Sequence, residues 1–425
     1  MMIEKITPPP IQNIGPVTLP MPVINYLDNG IPVYEINMGS QEVVKIEIMV
    51  RSGRTNEHKH IVARATSRLI REGTREISSA DLAEKIDFYG GTLSTPVNLD
   101  TASIVLYCLT KHFGQLIPLL ADMLYNPSFP EKELQTFIET NQQRLLVDLT
   151  HNDVIAYRHI TEQIYGPEHP YGYNSQAATY AALTRDDLVK HHREYYVPEN
   201  MVIFISGRLN TKCMELLNQY IGQVRPGQAP AIIIPAIPAN LPSSVRIKNS
   251  GTVQSAIRIG RRLFPRTHPD HDGFYVLNTI LGGYFGSRLM ANIREDKGYT
   301  YSIHSSLDTM TYDGCWFIST EVSHESIEDA LKQSYHEMAI LQEKTVPPME
   351  LKMVRNYLLG TYLQMVDGPF NVADVIKTLV IDLVPLSSFE HIVETTRTIT
   401  PTRLRELARQ YLNKEDMWEV VVGDI

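Results

Sequence analysis

The stretch TRDDLVKHHREYYVPENMVIFISG, Thr184 to Gly207, lies against TPTRLRELARQYLNKEDMWEVVVG, Thr400 to Gly423, with Leu188 opposite Leu404, Tyr195 opposite Tyr411 and Met201 opposite Met417. Every pair is 216 residues apart. A second segment, FPEKELQTFIETNQQRLL, lies against VPPMELKMVRNYLLGTYL, where Pro130 meets Pro347 and Glu133-Leu134 meets Glu350-Leu351 at an offset of 217. A third sets Leu99-Asp100-Thr101 against Leu307-Asp308-Thr309, offset 208. Chance matches scatter, whereas three ordered matches at nearly half the chain length indicate a duplicated unit of roughly 200 residues.

Between the copies runs RPGQAPAIIIPAIPANLPSS, Arg225 to Ser244. Its five prolines exclude a continuous helix or central strand and predict an extended connector, the expected hinge. The expected domains are therefore 1–224 and 245–425, with 225–244 as linker.

Within the first copy, LDNGIPVYEI reads as a hairpin turning at Asn29-Gly30, a pair suited to a type I′ turn. In VVKIEIMV, Val44, Ile46, Ile48 and Val50 share one face and Lys45 and Glu47 the other, which predicts a half-buried strand. Helical patterns follow over 61–71 and 80–89, the second entered through Ser78-Ser79 and stopped at Gly90-Gly91. A hairpin over 92–108 precedes helices over 113–125, 130–149, 154–165 and 185–196. Hairpins mixed with runs of helices predict an α+β unit, helices packed on a mainly antiparallel sheet.

Of 425 residues, 39 are Lys or Arg and 48 are Asp or Glu, a net charge of −9. This gives no broad cationic field and disfavours nucleic-acid binding. Cys108, Cys213 and Cys315 are scattered, odd in number and without a CxxC pair, which fits a reducing compartment and argues against a disulfide framework or thiolate zinc site. The N-terminus lacks a signal-peptide pattern and no window reaches the ~18 apolar residues of a span, so a cytoplasmic chain is expected.

The 14 histidines invite a search for a metal site. HExxH is absent: His336-Glu337-Met338-Ala339-Ile340 ends in Ile and reads as amphipathic packing. In His268-Pro269-Asp270-His271-Asp272, Pro269 and the aspartates suit a helix N-terminus. Lys59 would oppose a cation between His58 and His60. His191 and His192, as neighbours, point to different parts of their helix. GxSxG, GxxxxGK[ST] and GxGxxG are also missing.

The ordered local patterns resemble the pitrilysin/insulinase family of zinc peptidases, the inverzincins, in their processing-peptidase-like branch. LDNGIPVYEI resembles the opening hairpin of that family, VRSGRTNE its strand and turn, and REGTREISSADLAEKIDFYGGTLSTPVNLDT the segment after its metal helix. YGPEHPYGYN with the Thr184 segment resembles the end of the first domain, and ILGGYFGSRLMANIREDKGYTYSIHSS the hallmark of the second. The resemblance implies paired homologous domains of the LuxS/metallohydrolase-like peptidase fold.

It fails where the family carries HxxEH. Counting back from Gly73-Thr74, the histidine positions hold Arg64 and Arg68 and the base position holds Ser67; the third-ligand region reads Gln143-Arg144-Leu145. Arginine is a permanent cation without a lone pair for a metal. Serine cannot replace a carboxylate base. No metal ligand and no catalytic residue is therefore expected in this chain alone.

RxxxGxxY, however, is matched by Arg294, Gly298 and Tyr301. The resemblance implies that Arg294 binds a substrate carbonyl and Tyr301 donates to the oxyanion of the tetrahedral intermediate. The chain is thus expected to be the zinc-less subunit of a two-chain peptidase. It would serve a partner of similar length that bears HxxEH and the zinc, and act on peptides bound partly by strand addition. The alternative is a non-enzymatic structural or peptide-binding protein on the same fold, possibly homodimeric.

Overall fold

A computed structural model describes residues 14–224, 227–238 and 240–425. The first half contains β1 (Val23–Tyr26), β2 (Pro32–Asn37), β3 (Val43–Val50), α1 (Val62–Leu69), α2 (Ser79–Phe88), β4 (Thr92–Ser94), β5 (Ala102–Leu109), α3 (Phe113–Tyr125), α4 (Glu131–Asp148), α5 (Asn152–Tyr165), α6 (Ala177–Ala181), α7 (Arg185–Tyr195), β6 (Met201–Gly207) and α8 (Thr211–Tyr220). The second contains β7 (Ser244–Lys248), β8 (Gln254–Leu263), α9 (His271–Asn278), β9 (Ile303–Thr309), β10 (Gly314–Ser323), α10 (Ile327–Glu343), α11 (Pro348–Met365), α12 (Pro369–Ile381), α13 (Ser388–Thr398), α14 (Pro401–Tyr411) and β11 (Trp418–Gly423).

The duplication is visible in the strand order. The first sheet runs β1-β2-β6-β3-β5-β4 and the second β7-β11-β8-β10-β9, so the second repeats the first without its leading edge strand. Each has one parallel pair, β2 with β6 and β7 with β11; the other pairings are antiparallel. α7–β6 corresponds to α14–β11, as the Thr184 and Thr400 segments predict, and Thr184 and Thr400 each cap their helix with a side-chain oxygen. The third match is looser. Leu99–Thr101 lies in the loop before β5, whereas Leu307–Thr309 is the paired end of β9.

One face of each sheet packs on helices of its own half. Val62, Ala65 and Leu69 of α1, Phe113, Ile117 and Leu120 of α3 and Leu188 of α7 meet Val44, Ile46, Ile48, Ile104 and Ile203. In the second half Phe274, Leu277, Leu331, Leu404 and Leu407 meet Ile257, Ile259, Trp316 and Ile318.

The other faces are covered by exchange. Ala156, Ile160 and Ile164, one stripe of α5 in the first half, lie on Ala256, Phe317, Val420 and Val422 of the second sheet. Reciprocally, Val372, Ala373, Ile376 and Leu379 of α12 join one cluster with Ile36, Met49, Val202 and Phe204 of the first sheet. β3 is therefore buried on both faces, not one. Lys45 and Glu47 sit under α12, where Lys45 Nζ lies 3.2 Å from Glu47 and 2.7 Å from Asp374, and Lys377 Nζ lies 3.1 Å from Glu47.

Two further expectations are corrected. The β1–β2 hairpin has Gly30 alone at positive φ, 87°, with Gly30 N–H donating to Leu27 O and Leu27 N–H to Ile31 O. This is a three-residue loop with a bulge rather than a type I′ turn. Asn29 is occupied elsewhere, its Nδ2 donating to Ile221 O at 2.8 Å.

Residues 227–238 and 240–243 of the connector have no regular secondary structure, while Arg225, Pro226 and Ala239 lie outside the described residues. Asn240 Nδ2 donates to Gln163 O, and Ile237 packs against the α5 cluster. Pivoting there would uncover the α5 and α12 faces, so the connector is no free hinge.

Candidate functional site

The helix that carries HxxEH in the resembling family is α1. The chain enters it through Ile61 at φ 72°, a region that a β-branched residue occupies only under strain of order 1–3 kcal/mol. Glu57 holds that entry: its carboxylate accepts from Ile61 N–H at 3.1 Å, Ala63 N–H at 3.0 Å and Tyr173 O–H at 2.6 Å. Burial pushes the Glu57 carboxyl up to about 7, against the opposing pull of the Tyr173 hydroxyl, Arg54 and the two amides.

On α1, Arg64 and Arg68 reach solvent one turn apart. Ser67 is buried and donates to Thr95 O at 3.2 Å, so its hydroxyl faces a carbonyl and no base. Arg64 Nη2 meets Asn141 Oδ1 of α4 at 3.4 Å, and Arg144 lines the same cleft. The fold thus still brings the metal helix and the third-ligand helix together, with cations in place of ligands. These residues do not fit zinc, and no group of three His, Cys, Asp or Glu among the described residues is placed to hold an ion.

Most of the other histidines singled out in the sequence have structural partners. His271 and His391 share Asp272 at 2.9 and 2.6 Å. His268 stacks on Phe264. Asp270 does not cap α9 with its side chain, contrary to expectation: its carboxylate accepts from Tyr411 O–H at 2.6 Å and pairs with Arg403. His60 stacks on Tyr173 with ring centroids 4.0 Å apart, and His58 and Lys59 both face Asp187. His192 bonds Leu124 O. His191 Nε2 lies 2.7 Å from Ser52 Oγ, but both side chains are wholly buried and His191 Nδ1 has no partner. Burial drives the His191 imidazole down to about 3, leaving a neutral core pair that no substrate reaches. His336 is exposed.

In the second half Arg294 and Tyr301 do come together. Arg294 lies on a π-helical turn, Met290–Asp296, which is uncommon and concentrated at functional sites. The turn is anchored by Ile293 in the core, by Asn292 donating to Glu337 at 2.6 Å, and upstream by the bidentate Arg288–Glu350 pair. Gly298, at φ 65°, ends it and turns the chain back, so that the Tyr301 ring centroid lies 5.0 Å from the Arg294 guanidinium. Phe285 lies on the guanidinium as well, at 4.8 Å. Tyr301 is 84% and Phe285 63% exposed, so an arginine between two aromatic rings is presented to solvent. Phe285 escaped the sequence reading although it stands in the second-domain hallmark, because the RxxxGxxY spacing begins nine residues later.

No hydrogen bond or ion pair among the described residues joins the Arg294 group to the α1 cleft. Two duplicated sheet-and-helix units, with Arg64, Ser67 and Arg68 on the first helix of one and an Arg/Tyr pair in the other, define a peptidase-type chain. A family profile described as "Insulinase (Peptidase family M16)" matches residues 33–168, and one described as "Peptidase M16 inactive domain" matches residues 182–358. The chain belongs to this M16 family, in its inactive-like branch, as a non-catalytic M16-like subunit.

Among its relatives, the Bacillus subtilis (strain 168) protein called "Uncharacterized zinc protease YmxG" is 22% identical, over 79% of this chain and 82% of its own length. The mitochondrial-processing peptidase subunit beta of Caenorhabditis elegans is 21% identical, over 96% and 91%. The crystal structure of a peptidase M16 inactive domain from Pseudomonas fluorescens superposes with a TM-score of 0.88 at 21% identity, covering 95% of this chain and 98% of that one. No helix among the described residues is long and apolar enough to cross a membrane.

Proposed function

We propose that this protein is the zinc-less half of a two-chain M16 peptidase, supplying Arg294 and Tyr301 in trans to a partner of similar length that bears HxxEH and the zinc. The observation that carries this reading is the asymmetry between the halves. The ligand positions of the first half hold Arg64, Ser67 and Arg68, yet the second half keeps a partly exposed arginine flanked by the exposed rings of Phe285 and Tyr301 on an anchored π-turn.

In that arrangement the Arg294 N–H groups hold a substrate carbonyl, and the Tyr301 O–H donates to the oxyanion as charge develops on it. Substrates are peptides or unfolded segments, with β9, one of the two edge strands of the second sheet, as the place of strand addition. Residues 1–224 and 245–425 are the two domains joined by the 225–244 linker. Three buried, unpaired cysteines support a reducing, cytoplasmic setting.

Gentle affinity purification from the native cell, followed by mass spectrometry, tests the pairing: a stoichiometric HxxEH chain is expected. Recovery of the chain alone, or only with itself, would favour a non-enzymatic peptide-binding homodimer. In the assembled complex Tyr301→Phe is expected to lower turnover with little effect on assembly, and unchanged turnover would remove the proposed role.

A further inference from the structure

Two adjoining clefts, of 230 and 410 Å³, open over α1 and α4 where the family would hold its metal. Four arginines line them: Arg54, Arg64, Arg144 and Arg158. None of the four takes part in an ion pair of the described residues. Two carboxylates share the lining. Asp148 lies beyond ion-pair distance of all four, and Glu57 is occupied by Tyr173 and the α1 amides.

Three of the four guanidinium groups are also fixed in place. Arg54 Nη1 donates to Tyr173 O at 3.1 Å, and its Cζ lies 4.3 Å from the Tyr173 ring centroid. Arg158 Nη2 donates to Ser175 O at 2.7 Å. Arg64 is tied to Asn141. Each leaves most of its forked N–H donors free of protein partners.

We propose that this arginine-lined cleft binds the carboxylate of a peptide, so that loss of the metal ligands turned a cation site into an anion site. Planar guanidinium forks match a planar carboxylate with paired N–H···O bonds, and several arginines around one cleft favour an anion far more than an exposed single pair does. Burial lowers Arg158 from its ordinary value, a cost to its charged form that a bound anion would offset. Leu99, Leu145, Tyr171 and Tyr180 add apolar and aromatic surface beside the polar Thr161 and Asn174, a mixed wall that suits a peptide rather than a bare inorganic anion. The proposal rests on the peptide-binding part of the reading above but not on the partner or on Tyr301.

The test is fluorescence anisotropy of labelled peptides on the full chain. Three peptides of one core sequence are compared: acidic side chains with an amidated C-terminus, neutral side chains with a free C-terminal carboxylate, and neutral side chains with an amidated C-terminus. Binding of either carboxylate-bearing peptide at least about tenfold tighter than the uncharged one, falling with salt, is expected, and the first two identify the source of the carboxylate. Arg64→Glu with Arg144→Glu, both exposed, is expected to abolish the preference, and Arg64→Lys with Arg144→Lys to retain part of it.

Equal binding of all three peptides, unmoved by the charge reversal, would overturn the anion site and leave peptide binding standing. Displacement by inorganic phosphate without any preference among the peptides would overturn the carboxylate assignment. Absence of binding by every peptide, to the chain or to its complex, would overturn both readings.

Discussion

The exchange of α5 and α12 predicts that damage to the first sheet is felt in the second half. Glu47→Gln places the test at the junction. The Glu47 carboxylate is 2% exposed and neutralises Lys45 of its own strand and Lys377 of α12. Breaking a buried pair costs about 3–5 kcal/mol when it strands a charge; here Asp374 remains 2.7 Å from Lys45, so the low end, about 3 kcal/mol, applies. With a urea slope of about 3 kcal/mol/M, the unfolding midpoint should fall by about 1 M.

Both tryptophans, Trp316 and Trp418, lie in the second sheet, so their fluorescence reports the half that was not mutated. If α12 couples the halves, the tryptophan transition moves with the far-UV circular dichroism transition. A tryptophan transition that stays in place while circular dichroism shows an earlier, separate step would refute the coupling. Glu328→Gln is the control: its pair with Arg246 is 75% exposed on the glutamate side and worth at most about 1 kcal/mol.

Phe285→Ala removes one ring from the Arg294 sandwich and should raise the KM of the assembled complex several-fold, an effect of about 1 kcal/mol, with an unchanged KM arguing that Tyr301 alone orders the guanidinium. Glu57 should titrate near 7 by carbon NMR of its carboxyl. Because its folded-state value is raised above the ordinary 4.5, the folded chain binds more protons between about 4.5 and 7. Stability should therefore decline as pH rises through that window, and Glu57→Gln should flatten the decline; a midpoint near 4.5 would show that the hydrogen bonds and Arg54 cancel the effect of burial. Cys108, Cys213 and Cys315 are each at most 3% exposed, and burial raises all three thiols, so none should react with a thiol reagent until the chain unfolds; prompt labelling of one would contradict the core packing.

Much of the fold was legible in the sequence because the repeat and local periodicity are properties of short segments. Phe113–Tyr125 and the Thr184 and Thr400 segments fold as their patterns predict. β3 departs from its pattern for the opposite reason. Alternation in VVKIEIMV reports that Lys45 and Glu47 share a face, but the helix that covers them lies some 330 residues along the chain, and a local pattern cannot distinguish water from a distant ion partner. At the site, the arginines at 64 and 68 were legible as residues without a lone pair for a metal. The association of Arg64 with Arg54, Arg144 and Arg158 was not legible, since it arises only when α1, α4 and α5 meet. The same holds for Phe285, whose meeting with Arg294 depends on the π-turn.

The reciprocal covering of the sheets by α5 and α12 has an evolutionary corollary. A lone ancestral unit would have left one sheet face bare and one helix projecting without a seat, so it was viable only as a two-fold pair trading those helices. Fusion through the proline-rich connector made that pair permanent and freed each copy to diverge. The residues of each copy's site could then change separately, because neither copy had to fold by itself.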